Sequence, residues 1–213
     1  MTSILSTFPD VITTAVPLRQ QLEARYQNQT LHGFPGGQMI PMDGEQVWIV
    51  CRGVVLLSTI YPSGEESLLG LAGPSAPFGL PFTQVNPYQA MALSAVDLIQ
   101  VSMADLERSP VLAQDLFRSL NRRLQQAEMM LALLGQRRVE DRLRQFLQML
   151  KHEVGQNTDQ NTDDGTRLTV RLTHQHLANA LGTTRVTITR LLGQLRKEGF
   201  LDVDKHRHMI IKS

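Results

Sequence analysis

The sequence predicts an α+β chain in three parts: an N-terminal β-roll over 1–109, a long helix over 110–135, and a C-terminal winged helix-turn-helix over 136–213. Three observations carry this. Short aliphatic runs punctuated by glycine fill the stretch from about Thr30 to Met103. A leucine periodicity of four and three follows Pro110, and "LTHQHLANALGTTRVTITRLLGQLRKEG" (172–199) sets two capped helical patterns around a glycine turn. With 213 residues, 42% of them hydrophobic, the chain can bury one large core or two small ones, so neither disorder nor a fibrous repeat fits.

In the first part, "VWIV", "GVVLLSTIYPSGEE", "SLLGLAG" and "MALSAVDLIQVS" read as strands, each run ended by turn residues. "YPSGEE" is a hairpin connection, because Pro62 presets the first corner and Gly64 can take positive φ. The one cysteine, Cys51, lies in "VWIVCRG" as a packed thiol; a single thiol excludes an internal disulfide, a cysteine-ligated iron–sulfur cluster and a zinc knuckle. The longest apolar runs resemble "VVLL" (54–57), and "MTSILSTFPD" lacks a basic segment before an apolar one. The expectation is a cytoplasmic protein without a membrane span or secretory signal.

Pro110 suits the first turn of a helix of about 24 residues and roughly 36 Å, longer than a cover for the β part requires. Leu116, Leu120, Leu124, Ala127, Leu131 and Leu134 are the expected seam for a second copy of the same helix. Met129, Met130 and Leu133 put apolar groups on its other sides as well. Gly135 is the expected hinge, after which Val139, Leu143, Phe146, Leu147 and Leu150 resume helical spacing. "GQNTDQNTDDGT" (155–166) reads as a surface loop and "RLTVRL" as a short strand.

Thr173 is the expected N-cap of a helix over "HQHLANAL", which Gly182 ends. Thr183 and Thr184 form the turn, and Thr184 caps a second helix with Val186, Ile188, Leu191, Leu192 and Leu195 as apolar contacts. "FLDVDKHRHMIIKS" then alternates as a β-hairpin wing that carries Lys205. At the front of the second helix stand Arg185, Val186, Thr187, Thr189 and Arg190: arginine bonds guanine bidentately and threonine methyls pack on thymine, so this face fits the DNA major groove. Charge agrees. The net charge is −4 up to Gly135 and +5 from Gln136 onward.

A glycine-punctuated β-roll like that of cyclic-nucleotide-binding domains, a long helix, a hinge and a winged helix-turn-helix together resemble the Crp/Fnr transcription regulators. "TTRVTITRLLGQLRKEG" is especially similar to the cyanobacterial nitrogen regulators of that family. The resemblance implies a homodimer on double-stranded DNA, with RNA polymerase as a further partner, and an inverted repeat of GTA and TAC. Arg185, Val186 and Arg190 match the family's arginine–glutamate–arginine readers; Val186 removes the acceptor for a cytosine amino group.

The resemblance also frames the effector. Cyclic-AMP binders carry an acidic residue after phenylalanine–glycine and an arginine shortly after. Here Phe78 and Gly79 are kept, Leu80 and Pro81 stand at the acidic position, and no arginine lies between Arg52 and Arg108, so cyclic AMP is not expected. Arg123 and Glu128 match residues that bind 2-oxoglutarate in the nitrogen regulators, although the β-roll arginine of those proteins is missing; an inter-subunit salt bridge is the alternative for the pair. A dimer competent without any ligand is the alternative for the whole chain. Haem is not expected, since His32 is the only histidine before His152, and no metal set is evident in His174, His176, His206 and His208. An enzyme of the cupin type would need clustered histidine and carboxylate ligands on the strands, and a cyclic-nucleotide adaptor would lack the winged motif; neither fits.

Overall fold

The computed structural model describes residues 30–157 and 165–212. Seven strands form the first part: β1 (His32–Phe34), β2 (Gln46–Arg52), β3 (Val55–Ile60), β4 (Glu66–Ala72), β5 (Pro77–Phe78), β6 (Gln89–Ala92) and β7 (Val96–Ser102). They pair antiparallel in two sheets, ordered β1-β7-β2-β5 and β4-β3-β6. Between the sheets lie Trp48, Val50, Val55, Leu57, Phe78 and Leu98, with the Trp48 indole N–H donating to the Pro41 carbonyl at 2.8 Å. The alternate residues of β2, Val47, Ile49 and Cys51, pack outward under Leu106 and Leu112. That central strand is therefore buried on both faces, which is why it reads as a continuous apolar run.

The β3–β4 hairpin turns as its residues dictate: the Gly64 N–H donates to the Tyr61 carbonyl at 2.8 Å, and Gly64 has φ +83°. One expectation changes. "MALSAVDLIQVS" is two strands in different sheets, because Leu93 N–H bonds the Val54 carbonyl and Ser94 Oγ accepts from Val54 N–H, turning the chain from one sheet to the other.

Helix α1 (Met103–Arg108) is capped by Ser102, and α2 (Pro110–Leu134) by Ser109 with Pro110 in its first turn. Gly135 has φ −67° and ψ −12°, ordinary helical values. The expected hinge position therefore does not use glycine's freedom; the break spans Gln136 to Arg138, the N-cap of α3 (Val139–Val154). Strand β8 (Gly155–Asn157) follows directly, so the polar tract expected to be all loop begins as a strand, while residues 158–164 lie outside the described residues. Of "RLTVRL" (167–172) only Arg167 and Leu168 are strand, at the end of β9 (Thr166–Leu168). With β10 (Leu201–Val203) and β11 (Met209–Ile211) these form a sheet ordered β10-β11-β9-β8, larger than a two-stranded wing.

The two helices between are α4 (His174–Leu181) and α5 (Arg185–Lys197). Their inner faces, Leu177, Ala178 and Leu181 against Ile188, Leu191, Leu192 and Leu195, continue the core of α3, and that core runs on to Leu68 and Leu71 of β4 and Met130 and Leu133 of α2. Gly182 makes the tight corner in the left-handed conformation, φ 58° and ψ 50°, with open space where a Cβ would project. Gly182→Ala is therefore expected to cost about 1 kcal/mol through backbone strain alone, read as a lower urea midpoint. No helix among the described residues is long and apolar enough to cross a membrane.

Candidate nucleic-acid interface

Local chemistry fixes both ends of the α4–α5 pair. Thr173 Oγ accepts from His176 N–H at 3.0 Å, while His176 Nδ1 accepts from Thr173 N–H at 3.3 Å, a reciprocal cap. An acceptor nitrogen must be unprotonated, and burial pushes the His176 imidazole below its ordinary value, with Glu66 pulling the other way. At α5, Thr184 Oγ accepts from Thr187 N–H at 3.2 Å.

With about 100° per residue, Arg185, Thr189, Gly193, Val186 and Arg190 fall in that order across an arc of roughly 140° on α5. The arc is outward: all five are exposed, Val186 at 79%. Two expectations are corrected by this projection. Val186 makes no packing contact with the helix pair, and Thr187 lies off the arc, half-buried, its hydroxyl 3.0 Å from that of Thr184. Thr189 lies on the arc, but its hydroxyl donates to the Arg185 carbonyl at 2.9 Å. Its single proton thus used, the oxygen accepts from His174 Nδ1 at 2.8 Å, which leaves the other ring nitrogen of His174 as the free polar position. What Thr189 offers a base is its methyl. His174, weighed in the sequence only as one of two histidine pairs without a metal set, is thereby tied to the recognition helix.

Three arginines of this domain are held in ion pairs. Arg144 pairs with Glu140 and Glu198, Arg167 with Asp204, and Arg196 with Asp202. Among the described residues, neither Arg185 nor Arg190 forms an ion pair. An exposed helix face flanked by two guanidinium groups without counter-charges is suited to bidentate hydrogen bonding of base edges or phosphates.

The wing is held by Asp204. Its carboxylate accepts from the N–H groups of His206 and His208, both at 2.8 Å, and from Arg167 Nε at 2.7 Å. The Arg167 hydrogen bond and these backbone donors keep Asp204 well below the usual carboxylate range despite some desolvation. Lys205, His206 and Arg207 stand exposed at the tip, Arg207 at φ 63°. For a depressed carboxylate the contribution to stability is complete above the ordinary value of 3.8 and declines as pH falls from there towards the folded-state value. The His206 and His208 amides are accordingly expected to lose exchange protection on acidification below about pH 4, and Asp204→Asn to show that loss at neutral pH.

Elsewhere, of the expected effector residues on α2, Arg123 comes to β5, which holds Phe78, and Glu128 lies on another side of the helix. Phe78 is fully buried between the sheets and presents no side-chain surface to a ligand; Gly79 and Leu80 turn the chain beside it. Arg123 Nη1 donates to the Pro77 carbonyl at 3.1 Å. Burial pushes the nearby Tyr88 phenol up, with Arg123 pulling it down. Glu128 lies about 140° around α2 from Arg123 and is exposed.

On the long helix, Phe117, Leu124, Leu131 and Leu134 are 65%, 57%, 71% and 39% exposed. Phe117, Leu120, Leu124, Ala127, Leu131 and Leu134 alternate by three and four, a heptad stripe with Ala127 exposed and Leu120 half-buried. Leu116, expected on that stripe, instead packs into the core with Leu106 and Leu112, and Phe117 takes its place. Among the described residues, no group of three or more His, Cys, Asp or Glu is placed to hold a metal ion.

Residues 141–213 match the model of the Crp-like helix-turn-helix domain. The chain is 32% identical over 214 residues to the Global nitrogen regulator of Synechococcus elongatus, covering 96% of this chain and 91% of that protein. It is 34% identical over 161 residues to the Regulatory protein CysR of the same organism, covering 76% and 74%. Its fold matches FixK2 from Bradyrhizobium japonicum with a TM-score of 0.72 at 20% identity, over 87% of this chain and 93% of that one. The β-roll, long helix and DNA-facing helix pair, with identity sustained along nearly the whole chain, place this protein in the Crp/Fnr family of transcription regulators.

Proposed function

We propose that two copies of this chain, joined along the Phe117-to-Leu134 stripe of α2, bind as a homodimer to an inverted repeat of GTA and TAC and regulate transcription from it, in the cytoplasm. The observation that carries the reading is the outward arc of α5, in which Arg185 and Arg190, free of ion pairs among the described residues, flank Val186 and the Thr189 methyl. An arginine at each edge can reach guanine O6 and N7 while the centre packs on thymine methyls. The GTA/TAC choice rests on the resemblance of the recognition helix to the nitrogen regulators, and the chain is similar along its length to the Global nitrogen regulator. Val186 cannot accept from a cytosine amino group, which favours a half-site without that requirement.

2-Oxoglutarate is the proposed effector, on the match of Arg123 and Glu128 to the nitrogen regulators. Because the two side chains lie on different sides of one helix, Glu128 would have to join a ligand across the dimer seam. The second reading, a dimer competent without ligand, is favoured by Arg123 already spending a donor on the Pro77 carbonyl. Insertion of five base pairs between the half-sites tests the dimer common to both readings. It rotates one half-site by about half a turn, so a dimer should lose at least a hundredfold in affinity. Unchanged affinity for the spaced duplex would rule out simultaneous reading by two chains. The same titration with 2-oxoglutarate decides between the effector and ligand-independent readings.

A further inference from the structure

The outward face of α5 carries a side chain whose orientation is set from another helix. Thr189 is exposed in the second turn of α5, and a threonine inside a helix has two open χ1 wells, because its hydroxyl can return to a carbonyl three or four residues back. The wells exchange the places of methyl and hydroxyl, so one presents an apolar group to a base and the other a hydrogen-bonding group. Here the Thr189 hydroxyl lies 2.9 Å from the Arg185 carbonyl and 2.8 Å from Nδ1 of His174. A carbonyl can only accept and a hydroxyl has a single proton, so that proton goes to Arg185 and Nδ1 of His174 is the donor to the oxygen. The bond thus fixes the ring as well as the threonine, since it requires a hydrogen on Nδ1.

His174 can hold this geometry because its own backbone is held. It is the first residue of α4, directly after Thr173, whose reciprocal cap with His176 closes the first turn. Beneath it α4 and α5 share one buried core through Leu177, Leu181, Ile188 and Leu192. The imidazole is half-buried while Thr189 stays exposed, so the ring reaches the edge of the reading face and leaves the threonine uncovered.

We propose that His174 is a positioning residue for DNA specificity: by donating to the Thr189 hydroxyl from the neighbouring helix it keeps the threonine methyl towards the groove, so that one position of each half-site is read as thymine through its C5-methyl group. The inference rests on the assignment of the α5 arc to base reading and deepens it. With the polar branch of Thr189 satisfied inside the protein, only the apolar branch is left for a base. A hydroxyl released from His174 could rotate and meet thymine O4, guanine O6 or adenine N7 alike, and the preference for the methyl would fade.

The test is anisotropy on the inverted repeat with each thymine replaced in turn by deoxyuridine, which removes the C5-methyl alone. In the unsubstituted chain one replacement per half-site should weaken binding about fourfold, the worth of one buried methyl group. Thr189→Ser should abolish that loss and so identify the thymine. His174→Leu and His174→Ala, which lack the donor and leave Thr189 averaging over two wells, should reduce it to about twofold or less. His174→Asn, whose amide nitrogen falls close to the place of Nδ1, should restore it. Three-bond carbon couplings of Thr189 in the DNA-free protein give a readout independent of any operator: one χ1 well in the unsubstituted chain and in His174→Asn, averaged wells in His174→Leu. Ring nitrogen shifts should place a proton on Nδ1, and the amide signals of α4 and α5 show that each variant is folded. A single Thr189 well in His174→Leu, an unprotonated Nδ1, or a uracil loss as large in His174→Leu as in the unsubstituted chain overturns the proposal. Equal binding of repeat and scrambled duplexes by the unsubstituted chain would remove the base-reading assignment and with it the methyl contact, while the couplings still decide whether His174 sets Thr189.

Discussion

Arg185→Ala is expected to weaken binding to the cognate inverted repeat by about 1–3 kcal/mol, roughly fivefold to more than a hundredfold, while leaving affinity for a random duplex almost unchanged. The asymmetry follows from what the side chain lacks. Paired arginines such as Arg144 and Arg167 would cost fold stability if truncated, because each neutralises a carboxylate of its own domain. Arg185 makes no such pair, so its loss is felt where a base edge is left without its donors. Lys205 on the wing tip provides the contrast: Lys205→Ala should weaken specific and random duplexes alike and lower the slope of log affinity against log salt by about 1. A uniform loss for Arg185→Ala, measured as anisotropy on both duplexes at fixed salt, would remove it from base reading and make it a phosphate contact.

Leu124→Glu is expected to convert the proposed dimer to monomers at micromolar concentration. Leu124 is central in the stripe, and a leucine side chain taken out of water is worth about 1.5–3 kcal/mol. A dimer loses it twice and would have to seat two facing carboxylates in an apolar seam, so dissociation should rise by at least a thousandfold. Operator affinity should fall with it, because a linked second recognition helix contributes an effective concentration worth about 10²- to 10⁴-fold. Leu116→Glu is the control with the opposite signature: it disrupts the core beside Leu106 and Leu112, so it should lower the melting temperature rather than dissociate a folded chain. Sedimentation velocity reads both. A Leu124→Glu protein that remains a dimer would exclude this stripe as the seam.

The elements set by local chemistry were the ones readable in advance. Pro110 behind Ser109, the caps Thr173 and Thr184, and the turns at Gly64 and Gly182 act within four residues of themselves, and each stands where its residue type requires. What escaped depends on partners far along the chain. The break between β6 and β7 is made by Val54, some 40 residues earlier, and β8 exists because β9 pairs with it. Leu116 and Phe117 are both apolar and adjacent, so only the position of the β core decides which turns outward. At the DNA face, the arginines were legible from type and position. The removal of the Thr189 hydroxyl was not, because it needs the helical return to Arg185 and the histidine fifteen residues away.

The most direct test of the reading is fluorescence anisotropy of the purified protein on a GTA/TAC inverted-repeat duplex and on a scrambled duplex of equal length, at fixed salt, with and without 2-oxoglutarate. The expected result is tighter binding to the repeat by about a thousandfold or more, the usual margin of a specific DNA-binding protein, lost with the five-base-pair insertion. Equal affinity for repeat and scrambled duplexes in both conditions would contradict the assignment of the α5 arc to this operator.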